Sequence, residues 1–221
     1  DKKALFPFGI FVPRMAVTNG KEKRSDHIRL VFVGALRKIK GLDIAINALK
    51  KLNQNGLKVS LEVYGSGDPA RFIPTDDCTA VTYKGMIPIE KAQAVIAQYD
   101  ALVLPSRHDG WGAVVNEALL QGTPVIVSDR VGAKCLVESS DTGLIFRNED
   151  ANDLAEKIDL FIKNSSLLEK FRVNALKIGG EILPETGAQY FLDVSSYYFN
   201  KVGSRPSAVW NNDPLHGKVE Y

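Results

Sequence analysis

Residues 101–129, ALVLPSRHDGWGAVVNEALLQGTPVIVSD, constrain the fold more than any other stretch of this chain. Ala101–Leu104 is a short apolar strand that stops at Pro105. A polar turn with two glycines follows, Ser106 to Gly112, and then a helical run from Ala113 to Leu120. Gly122 closes that helix, Pro124 lies just beyond it, and Pro124–Val127 forms a second apolar strand. Strand, glycine turn, helix and strand make a parallel crossover unit. Its turn falls at the sheet edge where such folds bind ligands.

The turn has a readable chemistry. Gly110 and Gly112 let a ligand approach the backbone, and they permit a positive φ. The first N–H groups of the following helix, those of Ala113 and Val114 among them, have no intrahelical acceptor. Together with the helix dipole they suit an anion such as phosphate. Asp109 stands before the helix and Glu117 about two turns inside it; carboxylates accept from hydroxyl groups. Anion-binding amides flanked by two such carboxylates describe a pocket for a phosphate linked to sugars on both sides, a nucleotide-sugar. Taken singly, Asp109 is as easily a turn former and Glu117 a solvated helix residue.

The rest of the chain repeats the strand–helix pattern. His27–Val33, Lys58–Tyr64, Thr79–Tyr83, Ala101–Leu104, Pro124–Val127 and Gly143–Phe146 read as strands. The helices between and after them are Leu42–Leu52, Ile89–Gln98, Ala113–Leu120 and a short one near residues 134–137. Another, capped by Asp150 or Asn152, runs to Lys163, and one capped by Ser165 or Ser166 runs to Ile178. A last, aromatic-rich helix opens at Glu185 or Thr186 and ends near Asn200. The pattern predicts an α/β fold, a Rossmann-like doubly wound parallel sheet of about six strands, over residues 28–200. Residues 1–27 form a lead-in whose segment Leu5–Phe11 is an edge strand or a strap on the core, with Thr18–Asp26 a loop. Residues 201–221 form an irregular tail.

With strand order 3-2-1-4-5-6, the loops after strands one and four meet where the winding reverses. The first is Gly34-Ala-Leu-Arg-Lys-Ile-Lys-Gly41 and the second Ser106–Gly112. Lys40 would thus face the helix amides across one crevice and complete a diphosphate site. Gly65-Ser-Gly67 after the second strand is weak evidence for phosphate binding, and turn duty explains it as well. No Gly-x-Gly-x-x-Gly follows the first strand, so a dinucleotide enzyme is the weaker reading.

The string PSRHDGWGAVVNEALLQGTPVIVSD resembles the donor-binding signature of retaining glycosyltransferases of family 4, the glycosyltransferase group 1 class with the GT-B fold. That family places two acids, commonly both Glu, seven residues apart in between; here they are Asp109 and Glu117. The resemblance implies that Asp109 faces the transferred sugar and Glu117 the ribose hydroxyls. It implies too that the amides after Gly112 hold sugar hydroxyls and the distal phosphate. Asp-Gly-Trp-Gly is a known form of the motif, with the first acid one methylene shorter. Lys40 matches the family lysine that pairs with the diphosphate, in the loop that Gly34 opens. Ala35 stands where an Arg is usual, and Arg37 is a candidate substitute. Met86 and Ile87 match the segment near the base, with core packing an equal rival. Trp111 either covers the sugar or wedges the helix onto the core, and packing is favoured.

The resemblance spans the donor-binding half of a GT-B enzyme and implies that an amino-terminal domain supplies the acceptor site and a catalytic His. On it, the chain is the carboxy-terminal half of a hexosyltransferase, inactive or weakly active alone. Its donor is UDP- or GDP-linked and its acceptor a glycan, lipid-linked sugar or small molecule; no cofactor or metal is implied. A non-catalytic nucleotide or nucleotide-sugar binding module is the alternative. The formal charge of +2 gives no footprint for nucleic acid. Cys78 and Cys135 are 57 positions apart without metal-site spacing, and free thiols are the default. Cys135 reads as a small buried hydrophobe and His108 as an exposed loop residue. No apolar run is long enough to span a bilayer, and Ala4–Val12, broken by Pro7 and Gly9, lacks a cleavage pattern. A cytoplasmic setting follows, with peripheral attachment of the full-length enzyme left open.

Overall fold

The computed structural model describes residues 9–15, 27–73, 80–201 and 203–208. The loop expected at Thr18–Asp26, Cys78, Thr79 and most of the expected tail lie outside them.

Six strands form one parallel sheet in the order β3-β2-β1-β4-β5-β6. They are β1 (Ile28–Val33), β2 (Val59–Tyr64), β3 (Val81–Gly85), β4 (Ala101–Leu104), β5 (Val125–Ser128) and β6 (Gly143–Phe146). The helices are α1 (Leu42–Gln54), α2 (Ile89–Ile96), α3 (Ala113–Leu120), α4 (Lys134–Ser140), α5 (Ala151–Lys163), α6 (Ser165–Gly179) and α7 (Pro184–Ser195). A π-helical turn, Ser196–Asn200, extends α7. The fold is α/β and Rossmann-like, as the alternating pattern predicts.

The sheet is central because both its faces are covered, which is why β4 and β5 are wholly buried and apolar at every position but the last of β5, Ser128. Successive side chains serve opposite faces. Leu30, Phe32, Val103 and Ile126 join α1 and α5 in one core, while Val31, Leu102, Leu104 and Val127 join α3 and α4 in the other. β1 pairs with β2 on one side (Leu30 opposite Leu61) and β4 on the other (Leu30 opposite Ala101). The winding therefore reverses between β1 and β4.

Several local expectations are corrected. β3 begins at Val81 and continues through Gly85, so Lys84 and Gly85 belong to the strand rather than to the segment after it. As an edge strand it alternates half-buried with exposed residues and offers a weak apolar signal. Asp150 does cap α5, accepting from the N–H groups of Asn152 and Asp153. α6 is capped by Asn164, whose Oδ1 accepts from Leu167 N–H, not by Ser165 or Ser166. Cys135 is half-buried rather than fully enclosed, although it packs against the α3/α4 core.

Residues 9–15 are a strap, not an edge strand. Phe11 packs into the α3/α4 core and lies so close to α7 that a Cβ on Gly187 would come within 2.6 Å of its ring. Gln93 donates to Pro13 O and accepts from Met15 N–H, and Asn116 Nδ2 donates to Ile10 O.

The β1–α1 and β4–α3 loops touch backbone to backbone. Gly41 sits at φ +70°, and a Cβ there would lie 1.9 Å from Pro105 O. Both the left-handed conformation and the contact require glycine. Gly41→Ala should therefore destabilise the domain by roughly 2–4 kcal/mol, read as a drop in the urea midpoint.

Candidate functional site

Two remote loops bring their charged groups together at the carboxyl edge. Lys40 ends a 3-10 turn (Lys38–Lys40) and is held in place by Gly41. Its Nζ donates to Asp109 Oδ2 at 2.6 Å, with side-chain exposures of 28% and 14%. Arg107 N–H donates to Ile39 O at 2.8 Å and joins the same loops through the main chain. The loops after β1 and β4 thus meet at the reversal point, and there Lys40 is bonded to Asp109.

A third loop, between β5 and α4, supports the glycine turn. Asp109 pairs with Val131 in an isolated parallel bridge, and its N–H donates to Arg130 O. Gly132 N–H donates to Asp109 O and Ala133 N–H to Trp111 O. A Cβ on Gly132 would meet Gly110 O at 2.2 Å, so only glycine admits this approach. The sequence signal for this support was the Val-Gly-Ala run after the fifth strand, but nothing in it names the partner.

Gly112 is the N-cap residue of α3 at φ +90°, and a Cβ there would lie 2.9 Å from both Leu104 and Val131. No side chain caps the helix, whose first residues Ala113 and Val114 are half-buried. The helix entrance therefore offers main-chain N–H groups and the positive end of the dipole with no side chain hydrogen-bonded to them, although the Asp109 carboxyl lies close by. Gly110 is different: a Cβ there would meet nothing within 4 Å, so the space before it is open.

Trp111 is packed rather than free. It lies against the α3/α4 core, and its Nε1 donates to Asn116 Oδ1 at 2.8 Å. Asn116 is buried and passes the connection to Ile10 O in the strap. His108 is exposed, as is Arg37, whose side chain has no hydrogen bond or ion pair among the described residues. Gly34 N–H donates to Tyr64 O, and Gly65, at φ +151°, packs so closely that its Cβ would lie 1.8 Å from Gly34 O. Gly65-Ser-Gly67 therefore seats one loop on another. Met86 is 72% exposed, so core packing does not account for it, whereas Ile87 packs against the α3/α4 core.

Glu117 is half-buried on α3, and its carboxylate receives no hydrogen bond among the described residues. Burial raises its pKa above the ordinary value. A buried acceptor of this kind is suited to hydroxyl donors from a ligand. Arg107, not among the candidates from sequence, bonds to Lys38 O, Asp43 and Glu149. Its bidentate contact with Asp43 holds the Asp43 carboxyl below the usual range, against the opposing effect of burial. Among the described residues no group of three or more His, Cys, Asp or Glu side chains could hold a metal ion. No helix there is long and apolar enough to cross a membrane.

A doubly wound parallel sheet whose reversal-point loops carry the Lys40–Asp109 pair defines a Rossmann-like type of α/β domain. The chain belongs to the family of glycosyl transferases group 1, whose model matches residues 17–178. It is 30% identical over 157 residues to the capsular polysaccharide biosynthesis glycosyltransferase CapM of Staphylococcus aureus, covering 69% of this chain and 41% of that protein. It is 28% identical over 145 residues to the D-inositol 3-phosphate glycosyltransferase of Corynebacterium aurimucosum, covering 60% of this chain and 34% of that one. The chain thus spans about two fifths or less of the length of these relatives. Among solved structures, S. aureus TarM in complex with UDP superposes with a TM-score of 0.72 at 21% identity, over 86% of this chain and 39% of TarM. Anabaena HepE in complex with UDP-glucose gives 0.64 at 22%, over 77% of this chain and 49% of HepE. These likenesses establish the fold, that of one half of GT-B enzymes.

The buried carboxylate has a signature in the free protein. A charged Glu117 disfavours the folded state, because its folded pKa lies above the unfolded one. That penalty is absent below the unfolded value, near 4.5, grows as pH rises through it, and is complete above the folded value. Glu117→Gln should therefore match the parent in urea stability at about pH 4 and exceed it at about pH 7.

Proposed function

We propose that this chain is the donor-binding domain of a retaining glycosyltransferase that transfers a hexose-type sugar from a UDP- or GDP-linked donor. Its acceptor would be held by an amino-terminal domain, and alone the chain would turn over slowly or not at all. The observation that carries this reading is the meeting of Lys40 and Asp109 in front of the uncapped N-terminus of α3.

In this reading the diphosphate lies across the entrance of α3, accepting from the amides after Gly112 and from Lys40. An ammonium group has three donors, so Lys40 can keep Asp109 and still reach a phosphate oxygen. As the bond from sugar to phosphate breaks, negative charge grows on the departing diphosphate. Fixed positive groups aimed there lower the barrier without reorganising. Asp109 would accept from hydroxyls of the transferred sugar, and its bond from Lys40 keeps that carboxylate oriented. Glu117, deeper on the helix, accepts from the ribose hydroxyls. The open space before Gly110 leaves room for the sugar, with Trp111 holding the turn from behind. Met86 and Ile87, at the end of β3, are the candidates to flank the base.

Titration of UDP and GDP into the chain by calorimetry tests the assignment. Lys40→Ala should weaken the preferred nucleotide roughly ten- to a hundredfold, the loss of a charge-assisted contact. Glu117→Ala should weaken the nucleotide by a similar factor and leave inorganic pyrophosphate unaffected. Equal loss of both by Glu117→Ala would remove it from the ribose, and no binding by the parent chain would sink the reading.

A further inference from the structure

The guanidinium of Arg107 grips the chain on both sides of Lys40. Nη1 donates to Lys38 O at 2.7 Å and to Asp43 Oδ1 at 2.8 Å, and Nη2 donates to Asp43 Oδ2 at 2.8 Å. Between those anchors lie Ile39, whose carbonyl accepts from Arg107 N–H, then Lys40, then Gly41 against Pro105. From the third side, Glu149 Oε1 accepts from Nε at 2.9 Å. Glu149 itself holds a left-handed φ of +63°, in the loop between β6 and α5. One side chain, 17% exposed, thus ties three loops at the carboxyl edge.

We propose that Arg107 is a positioning residue: it sets the separation of Lys40 and Asp109, and through them the grip of the crevice on a nucleoside diphosphate. Lys40 is fenced by Arg107 contacts at residues 38, 39 and 43, and Asp109 follows Arg107 by two positions. A shift of the guanidinium therefore moves both members of the pair relative to each other. A single exposed ion pair would have little such authority. A planar fork with two parallel bonds to Asp43 and a third to a main-chain carbonyl fixes direction as well as distance. Lysine keeps the charge but cannot reproduce the fork.

The nucleotide arm of this inference rests on the donor-site reading above; the ion-pair arm does not. A double-mutant cycle of Lys40→Ala and Asp109→Ala, read by urea unfolding, measures the pair without ligand. In the parent, the folding constant of the double variant should depart roughly fivefold from the product of the single effects. With Arg107→Lys in all four proteins, that departure should shrink to within about twofold. A merely structural Arg107 would lower all four folding constants by one factor and leave the departure intact, which overturns the proposal. No coupling in the parent overturns it too. Asp43→Asn, which removes the acceptor charge at the same shape, serves the same cycle where Arg107→Lys does not fold. In parallel, Lys40→Ala should cost less UDP or GDP affinity in the Arg107→Lys background than in the parent. Failure of the parent to bind either nucleotide refutes the donor-site reading, while the cycle still decides the role of Arg107.

Discussion

Everything at the carboxyl edge depends on close approach of main chain to main chain. Gly41 lies against the carbonyl of Pro105, Gly65 against that of Gly34, and Gly132 against that of Gly110. In each pair a single methyl group would overlap an oxygen. These seams make four loops behave as one surface, and the Lys40–Asp109 pair is a product of that surface rather than its cause. Even a partly buried ion pair would be worth little on flexible loops, because ordering two side chains costs as much as the attraction returns. Mounted on packed backbone, the same pair starts with much of that ordering done.

The sheet order and the outline of the site were legible because they rest on strong signals. Buried parallel strands read as unbroken apolar runs, and the alternation of strand and helix leaves few arrangements once right-handed crossovers are required. The bounds of α3, between a Gly that must be left-handed and a Gly that ends it, follow from the residues alone. From that order the meeting of the loops that carry residues 40 and 109 could be deduced, although 69 positions separate them, but not the ion pair they form.

What the sequence hid was decided by tertiary context. β3 is an edge strand, so its apolar signal is weak, and it runs two residues past the expected end at Tyr83. Asn164, Ser165 and Ser166 are all good caps, and the end of α5 selects the first. Arg107 was invisible for another reason. An arginine in a polar turn is usually solvated, and its partners Asp43 and Glu149 lie 64 and 42 positions away. The available clue was an acid in the first turn of the facing helix, but a helix-dipole role explains that acid equally well.

The neighbourhood of Gly110 has a consequence for engineering. The residues around it are committed: Asp109 to Lys40, Trp111 to Asn116, Gly112 to a left-handed bend, and Gly132 to its carbonyl. Its own Cα hydrogen faces vacant solvent. Position 110 is therefore a place to graft a new side chain, or a small fluorophore through an introduced thiol, directly before the crevice. Such a graft would report occupancy or narrow the choice of sugar while leaving the supporting scaffold as it stands.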